Sequence, residues 1–170
     1  REGAILYLDE IAEAREDVIV VLHPLADYRR QLYVDRLNEV LAAPPSFMLV
    51  VSYNPGYRRG FRELKPSTRP RFVSLRFDYP APEVEIELVA AEAGVPAPVA
   101  KRLVGFAGKV RKLGELGLTE TVSTRLLVHA ASLIGGGLAP RAACNVAVVQ
   151  ALTDDPDTAR AVQDLADLAF

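Results

Sequence analysis

The stretch Ala4-Ile5-Leu6-Tyr7-Leu8-Asp9-Glu10 sets a continuous apolar run directly against two carboxylates. Apolarity without alternation predicts a strand covered on both faces, as in the interior of a parallel α/β sheet. Acids at the C-terminal end of such a strand lie where α/β sheets place their ligands. Successive strand residues point to opposite faces, so Asp9 and Glu10 can serve one site only where the backbone turns. One carboxylate would then hold Mg²⁺ through water while its neighbour orients or deprotonates an attacking water. The plainer reading is a pair of acids that ends a strand and begins a loop. On this stretch alone both stay open.

Outward from it, Phe47-Met48-Leu49-Val50-Val51-Ser52-Tyr53 is a second apolar run, broken by the turn signal Asn54-Pro55-Gly56. Val73 to Phe77 reads as a third, shorter strand. Between the first two lies a helix around Arg15 to Leu22, which Pro24 should kink or end. Arg30 to Val34 and Glu39 to Ala42, flanking Asp35-Arg36-Leu37-Asn38, read as a small β-hairpin.

From Pro82 the pattern turns helical, with helices expected at Pro82–Ala93, Ala97–Leu116, Ser123–Ile134, Pro140–Leu152 and Pro156–Leu168. Asp155-Pro156 supplies an N-cap followed by proline at the first helical position. Gly94, Gly117 and Gly135 stand where left-handed C-terminal residues are expected. The fold class is therefore α/β followed by all-α: a parallel sheet with helices, then a helical lid.

The 170 residues (18.5 kDa) carry 20 Lys+Arg against 22 Asp+Glu, a net charge of -2, with pI ≈ 5.8 and mean hydropathy +0.13. Half the chain is hydrophobic (50%), which fits a packed globular protein and excludes a disordered one. Near-neutral charge removes the simplest reason to expect nucleic acid or an anionic membrane as partner. The apolar runs fall far short of the ~20 residues needed to span a bilayer. Cys144 is the single cysteine, so no internal disulfide forms and a reducing cytoplasm is the expected compartment. The chain starts at Arg1 instead of Met, and reads as a piece of a longer protein or a processed one.

Further residues carry chemistry. Asn54 has donors and an acceptor with which to fix a water or a phosphate oxygen, and is equally at home as turn chemistry. Ser67-Thr68-Arg69-Pro70-Arg71-Phe72 offers two guanidiniums with an aromatic anchor, a fork suited to phosphate. Ser123-Thr124-Arg125 opens a helix with a serine cap and a first-turn arginine, which suits a nearby anion. His23 and His129 lack a second ligand at metal spacing and read as structural. Cys144 reads as a small core residue. Gly135-Gly136-Gly137 follows a helix and precedes no Lys-Ser/Thr, so it reads as a helix terminator.

Taken in order, these pieces resemble the second half of an AAA+ ATPase module. Ile5-Leu6-Tyr7-Leu8-Asp9-Glu10 looks like Walker B, Ser52-Tyr53-Asn54-Pro55 like sensor 1, Arg69-Pro70-Arg71-Phe72 like the arginine-finger region, and Ser123-Thr124-Arg125 like sensor 2. The finer resemblance is to the MoxR branch and its CbbQ/NirQ/NorQ group. It is carried by Leu22-His23-Pro24-Leu25, Val51-Ser52-Tyr53-Asn54-Pro55-Gly56-Tyr57, Leu64-Lys65-Pro66-Ser67-Thr68-Arg69 and Leu152-Thr153-Asp154-Asp155-Pro156-Asp157.

The resemblance implies a partial AAA+ core, truncated on its N-terminal side, over residues 1–80, with an inserted hairpin at about 30–42. A helical lid would follow over 81–137 and a C-terminal helical extension over 138–170. It implies ATP and Mg²⁺ as cofactors, with Asp9 holding the metal and Glu10 acting on the hydrolytic water. Asn54 would sense the γ-phosphate, Arg71 (Arg69 as runner-up) would reach a neighbouring subunit's nucleotide, and Arg125 would report nucleotide state to the lid. Members of the group typically form hexameric rings and work with a von Willebrand factor A-domain partner on client metabolic enzymes such as rubisco or nitric oxide reductase. One departure is large: nothing matches G-x-x-x-x-G-K-S/T, the phosphate-cradling loop. The chain alone is therefore expected to be inactive. The alternative is a non-catalytic adaptor or scaffold subunit that lacks the nucleotide loop.

Overall fold

Strand β1 (Ile5–Leu8) lies parallel to β4 (Met48–Val51), with Ile5 opposite Met48 and Leu8 opposite Val51. The computed structural model that shows this describes residues 3–54, 64–114 and 121–170, in two compact units, Arg1–Arg76 and Phe77–Phe170. Parallel neighbours need a long crossover. Here it consists of helix α1 (Glu16–Ala26) and a hairpin of β2 (Gln31–Val34) and β3 (Glu39–Ala42).

The hairpin falls where the sequence places it. Val34 pairs with Glu39 and Gln31 with Ala42. Asn38, at φ 46, takes the left-handed conformation that closes the turn, and its Oδ1 accepts from the Tyr33 hydroxyl at 2.9 Å. Helix α1 runs past its expected end. Pro24 sits inside it, yet the last turn still closes through Asp27 N–H to the His23 carbonyl at 3.1 Å. A proline this near the C-terminus sacrifices one bond without ending the helix.

Two expectations about strands are corrected. Val73 to Phe77 forms no strand, and Val73, Leu75 and Phe77 are 95%, 79% and 89% exposed. The run finds no sheet partner among the described residues, and a lone strand leaves its backbone groups to water. Strand β1 is likewise not covered on both faces: Ile5 and Tyr7 are 69% and 55% exposed. Among the described residues its only strand neighbour is β4. Among the described residues of this unit the buried apolar ones are Ile11, Ala12, Leu25 and Leu64.

Among the described residues of the second unit the regular structure is helical: α2 (Pro82–Ala93), α3 (Ala97–Gly114), α4 (Thr124–Gly135), α5 (Pro140–Cys144), a π-helical turn at Asn145–Val149, α6 (Gln150–Leu152) and α7 (Pro156–Asp167). Leu103, Phe106, Val110, Leu127, Val148 and Val162 meet in one core. Strong local signals set the helix starts. Asp155 Oδ1 accepts from Thr158 N–H at 2.8 Å, and Ser123 Oγ from Leu126 N–H at 3.4 Å. Gly94 ends α2 at φ 64, as expected.

The glycine triplet does stop α4, but Gly137 takes the positive φ (96) where Gly135 was expected to. Leu138 N–H reaches back to the Leu133 carbonyl at 3.0 Å, which closes the helix end two residues later than expected. Gly117 lies outside the described residues. The single helix expected over Pro140–Leu152 is interrupted by the π turn, which presents both Val148 and Val149 to the core. Cys144 is buried, as expected, and loss of solvent pushes its thiol up to about 11, so it stays protonated at neutral pH. Among the described residues no helix is long and apolar enough to cross a membrane.

Candidate functional site

The acidic edge is built by register. Leu8 opposite Val51 brings Asp9 alongside Ser52, and the ladder continues through Ser52 N–H to the Leu8 carbonyl and Ile11 N–H to the Ser52 carbonyl, both at 3.0 Å. Between those bonds the chain turns: Glu10 sits at φ 50, ψ 42. That left-handed residue answers the sequence-level difficulty, because it lets neighbours in sequence serve the same end of the sheet. Asn54 Nδ2 donates to Glu10 Oε1 at 2.9 Å, joining residues from the two strand ends.

Asp9 is held as firmly. Its Oδ1 accepts from the Tyr7 hydroxyl at 2.9 Å, from the Glu10 backbone N–H at 3.1 Å and from the Ser52 hydroxyl. Tyr7 and Ser52 are two supporting residues that the motif reading passed over. The signal was present for Tyr7, since residues i and i+2 share a strand face and Tyr7 precedes Asp9 by two. Ser52 could be found only with the pairing register in hand.

The arginine turn is separate. Arg69–Arg71 forms one 3₁₀ turn with Pro70 inside it. Arg71 is partly buried: its NH1 donates to the Ser67 carbonyl, and its Nε stands 3.6 Å from Asp27 Oδ2. Asp27 in turn is gripped by Arg29, through bonds of 3.0 and 2.7 Å, and these hold its carboxyl well below the usual carboxylate range. Arg69 is exposed. Behind the turn, His23 Nε2 meets the buried Thr68 hydroxyl at 3.0 Å. Burial, then the charge of Arg71, lowers the His23 pKa, so this imidazole is neutral at pH 7 and fastens α1 to the turn. His23 is structural, as its sequence context suggests. His129 is exposed on α4.

Arg125 lies in the second unit, exposed on the first turn of α4. The residue before it, Thr124, donates its hydroxyl to Glu85 Oε1 at 2.7 Å. Glu85 is 1% exposed and takes a bidentate fork from Arg111 at 2.8 and 2.7 Å. Burial alone would push the Glu85 carboxyl up; the bonds from Arg111 and Thr124 outweigh it, and the net direction is down. The one sequence sign of this buried acid is its spacing, four residues before the core residue Val89 on α2.

The described residues thus bring Asp9, Glu10 and Asn54 together, place Arg69 and Arg71 on their own turn, and put Arg125 in the other unit. Among them no group of three or more His, Cys, Asp and Glu could encage a metal ion. The hard oxygens of Asp9 and Glu10 nevertheless fit Mg²⁺, which keeps its waters and commonly takes only one or two carboxylates alongside substrate phosphates. For the phosphates themselves the chain carries no glycine-lysine cradle.

Comparison with known proteins agrees with both halves. Residues 1–72 match the family described as AAA domain (dynein-related subfamily), and residues 85–169 match CbbQ/NirQ/NorQ C-terminal. The denitrification regulatory protein NirQ of Pseudomonas aeruginosa is 55% identical over 168 residues, 99% of this chain and 65% of its own length. Protein CbbQ of Hydrogenophilus thermoluteolus is 53% identical across all of this chain and 64% of its own. Protein NorQ of Paracoccus denitrificans is 52% identical, again across the whole chain and 63% of its own. The chain spans a little under two thirds of the length of these relatives. A parallel strand pair ending in Asp9-Glu10 beside Asn54, followed by this helical unit and these matches, makes the chain a member of the CbbQ/NirQ/NorQ family of AAA-domain proteins.

Proposed function

We propose that this chain is the C-terminal portion of an ATP-hydrolysing AAA+ protein of the MoxR branch, which remodels or activates a metabolic enzyme complex. The contact between Asn54 and Glu10 beside Asp9 carries the reading. In it, Asp9 holds Mg²⁺, and the metal, when bound, neutralises charge on the phosphate oxygens. Glu10 accepts the proton of the attacking water. Asn54 fixes Oε1 of that carboxylate and so sets its direction, and it lies at the same strand end, where a terminal phosphate oxygen would be sensed. Arg71 acts on the nucleotide of a neighbouring subunit, with Arg69 the runner-up; Asp27 and the Ser67 carbonyl keep Arg71 oriented between turnovers. Arg125 reports nucleotide state to the lid.

An arginine that acts across a boundary requires an assembly, so the working form is a homo-oligomeric ring, a hexamer by resemblance to the group. The same resemblance supplies a von Willebrand factor A-domain partner and a client of the rubisco or nitric oxide reductase type, while the single cysteine, Cys144, supports a reducing, cytoplasmic setting. The exposed apolar residues of β1 support the further reading that preceding polypeptide covers this strand and brings the phosphate loop. The alternative, a non-catalytic adaptor or scaffold subunit, is the reading that would remain if the protein extended to the length of its relatives failed to hydrolyse ATP.

Hydrolysis assays on two proteins separate the readings. The 170-residue chain alone should neither bind ATP tightly nor turn it over. The protein extended to the length of its relatives should hydrolyse ATP, and Arg71→Ala should slow it by about 10³-fold, the scale set by arginine fingers. Hydrolysis by the short chain, abolished by Glu10→Gln, would overturn the expectation for the fragment. An unchanged rate in Arg71→Ala would remove the trans role.

A further inference from the structure

The second unit holds a polar node that no motif accounts for. The chain begins this unit at Phe77, and two residues later the Tyr79 ring stacks on the Arg111 guanidinium, 3.7 Å from carbon to ring centroid. The Tyr79 hydroxyl bonds to Thr121. The same guanidinium spends its other donors in two directions. NH1 and NH2 fork onto buried Glu85, and Nε donates to the Val122 carbonyl at 2.8 Å. Glu85 then takes the Thr124 hydroxyl, and Ser123 caps α4. Val122 is itself fully buried. Every residue from Thr121 to Thr124 is therefore tied, directly or through one partner, into this node or the helix it opens. The next residue is Arg125.

We infer that Tyr79, acting through Arg111 and Glu85, is a positioning residue for Arg125. The inference rests on the reading of Arg125 as the residue that senses nucleotide. A planar guanidinium with a fixed fork is the right part for this work, because one face is left for the aromatic ring while its edges hold carboxylate and carbonyl. The ring face ties the first residues of the unit to the guanidinium, and the edges set the backbone that launches α4. Any shift of residues 77–81 is thereby passed to the first turn of α4. A displacement of about 1 Å at a group that contacts phosphate is enough to cost up to ~10²-fold in rate.

Tyr79 is 45% exposed, so its removal opens no core cavity and leaves the buried Glu85–Arg111 pair intact. In the protein extended to family length, Tyr79→Ala should lower kcat about tenfold while its melting temperature stays near that of the parent. Tyr79→Phe keeps the ring over the guanidinium and should retain most of the rate. Combined with Arg125→Ala, the Tyr79→Ala change should cost nothing further, because the residue it positions is gone. Additive losses in that double variant, or a Tyr79→Phe protein as slow as Tyr79→Ala, would overturn the inference. If Arg125→Ala slows hydrolysis and Tyr79→Ala does not, the inference fails while the sensor reading stands. If Arg125→Ala has no effect, the sensor reading fails and takes the inference with it.

Discussion

Glu10→Gln, made in the protein extended to the length of its relatives, should cut ATP hydrolysis by about 10²–10⁴-fold while nucleotide binding persists. The substitution is unusually clean here. Glutamine keeps an oxygen at Oε1, so the 2.9 Å bond from Asn54 Nδ2 survives, and so does the left-handed turn that aims the side chain. What disappears is the capacity to take a proton. Asp9 keeps its three donors, because the Glu10 contribution to them is a backbone N–H. Binding of a fluorescent ATP analogue, measured beside steady-state phosphate release, reads both halves of the expectation. A variant that still turned over at the parental rate would remove Glu10 from the chemistry. A variant that lost nucleotide binding as well would make its role structural.

The largest stability effect belongs to Glu85. Glu85→Ala leaves the Arg111 guanidinium, 14% exposed at its side chain, without the carboxylate that neutralises it. Removing one partner of a buried pair costs about 3–5 kcal/mol, much of it the penalty of the orphaned charge. For a domain whose whole stability is about 5–15 kcal/mol, that is a large fraction. A urea titration of the chain, followed by circular dichroism, should show the helical unit melting at a clearly lower denaturant concentration. Replacing both residues with apolar groups of similar volume should recover much of the loss.

The pH dependence has a definite sign. The Glu85 pKa in the folded chain lies below its unfolded value, so the stabilisation it brings is complete above the unfolded value. It is lost as pH falls through the folded one. The gap in urea midpoint between parent and Glu85→Gln should therefore shrink on acidification and not on raising the pH toward neutrality. A gap that stayed constant through the acid range would show that the carboxylate's charge contributes nothing.

Several signals of local chemistry are followed by the structure, although the glycine stop moves from Gly135 to Gly137 and the helix at Pro140–Leu152 is broken. The two strand runs, the hairpin around Asn38, the Asp155 and Ser123 caps and the Gly94 stop are each decided within a few residues by periodicity, turn preference or an orphan N–H. Asp9, Glu10 and Asn54 were legible because the two acids follow one apolar run and Asn54 follows the other. What escaped was long-range pairing. Ser52 beside Asp9, Asp27 beside Arg71, and Glu85 beneath Arg111 are separated by 43, 44 and 26 residues, and no local signal connects such partners. Val73 to Phe77 misled for the same reason: β propensity describes a surface that fits a sheet, and no neighbour among the described residues supplies one.

The left-handed backbone at Glu10 has a consequence of its own. A residue with a Cβ held in that region costs about 1 kcal/mol or more relative to glycine, which would settle there without effort. Were robustness the only demand on position ten, the smallest residue would be the natural occupant. An acid stands there instead, so the chain gives up ease of folding at this corner in return for aim.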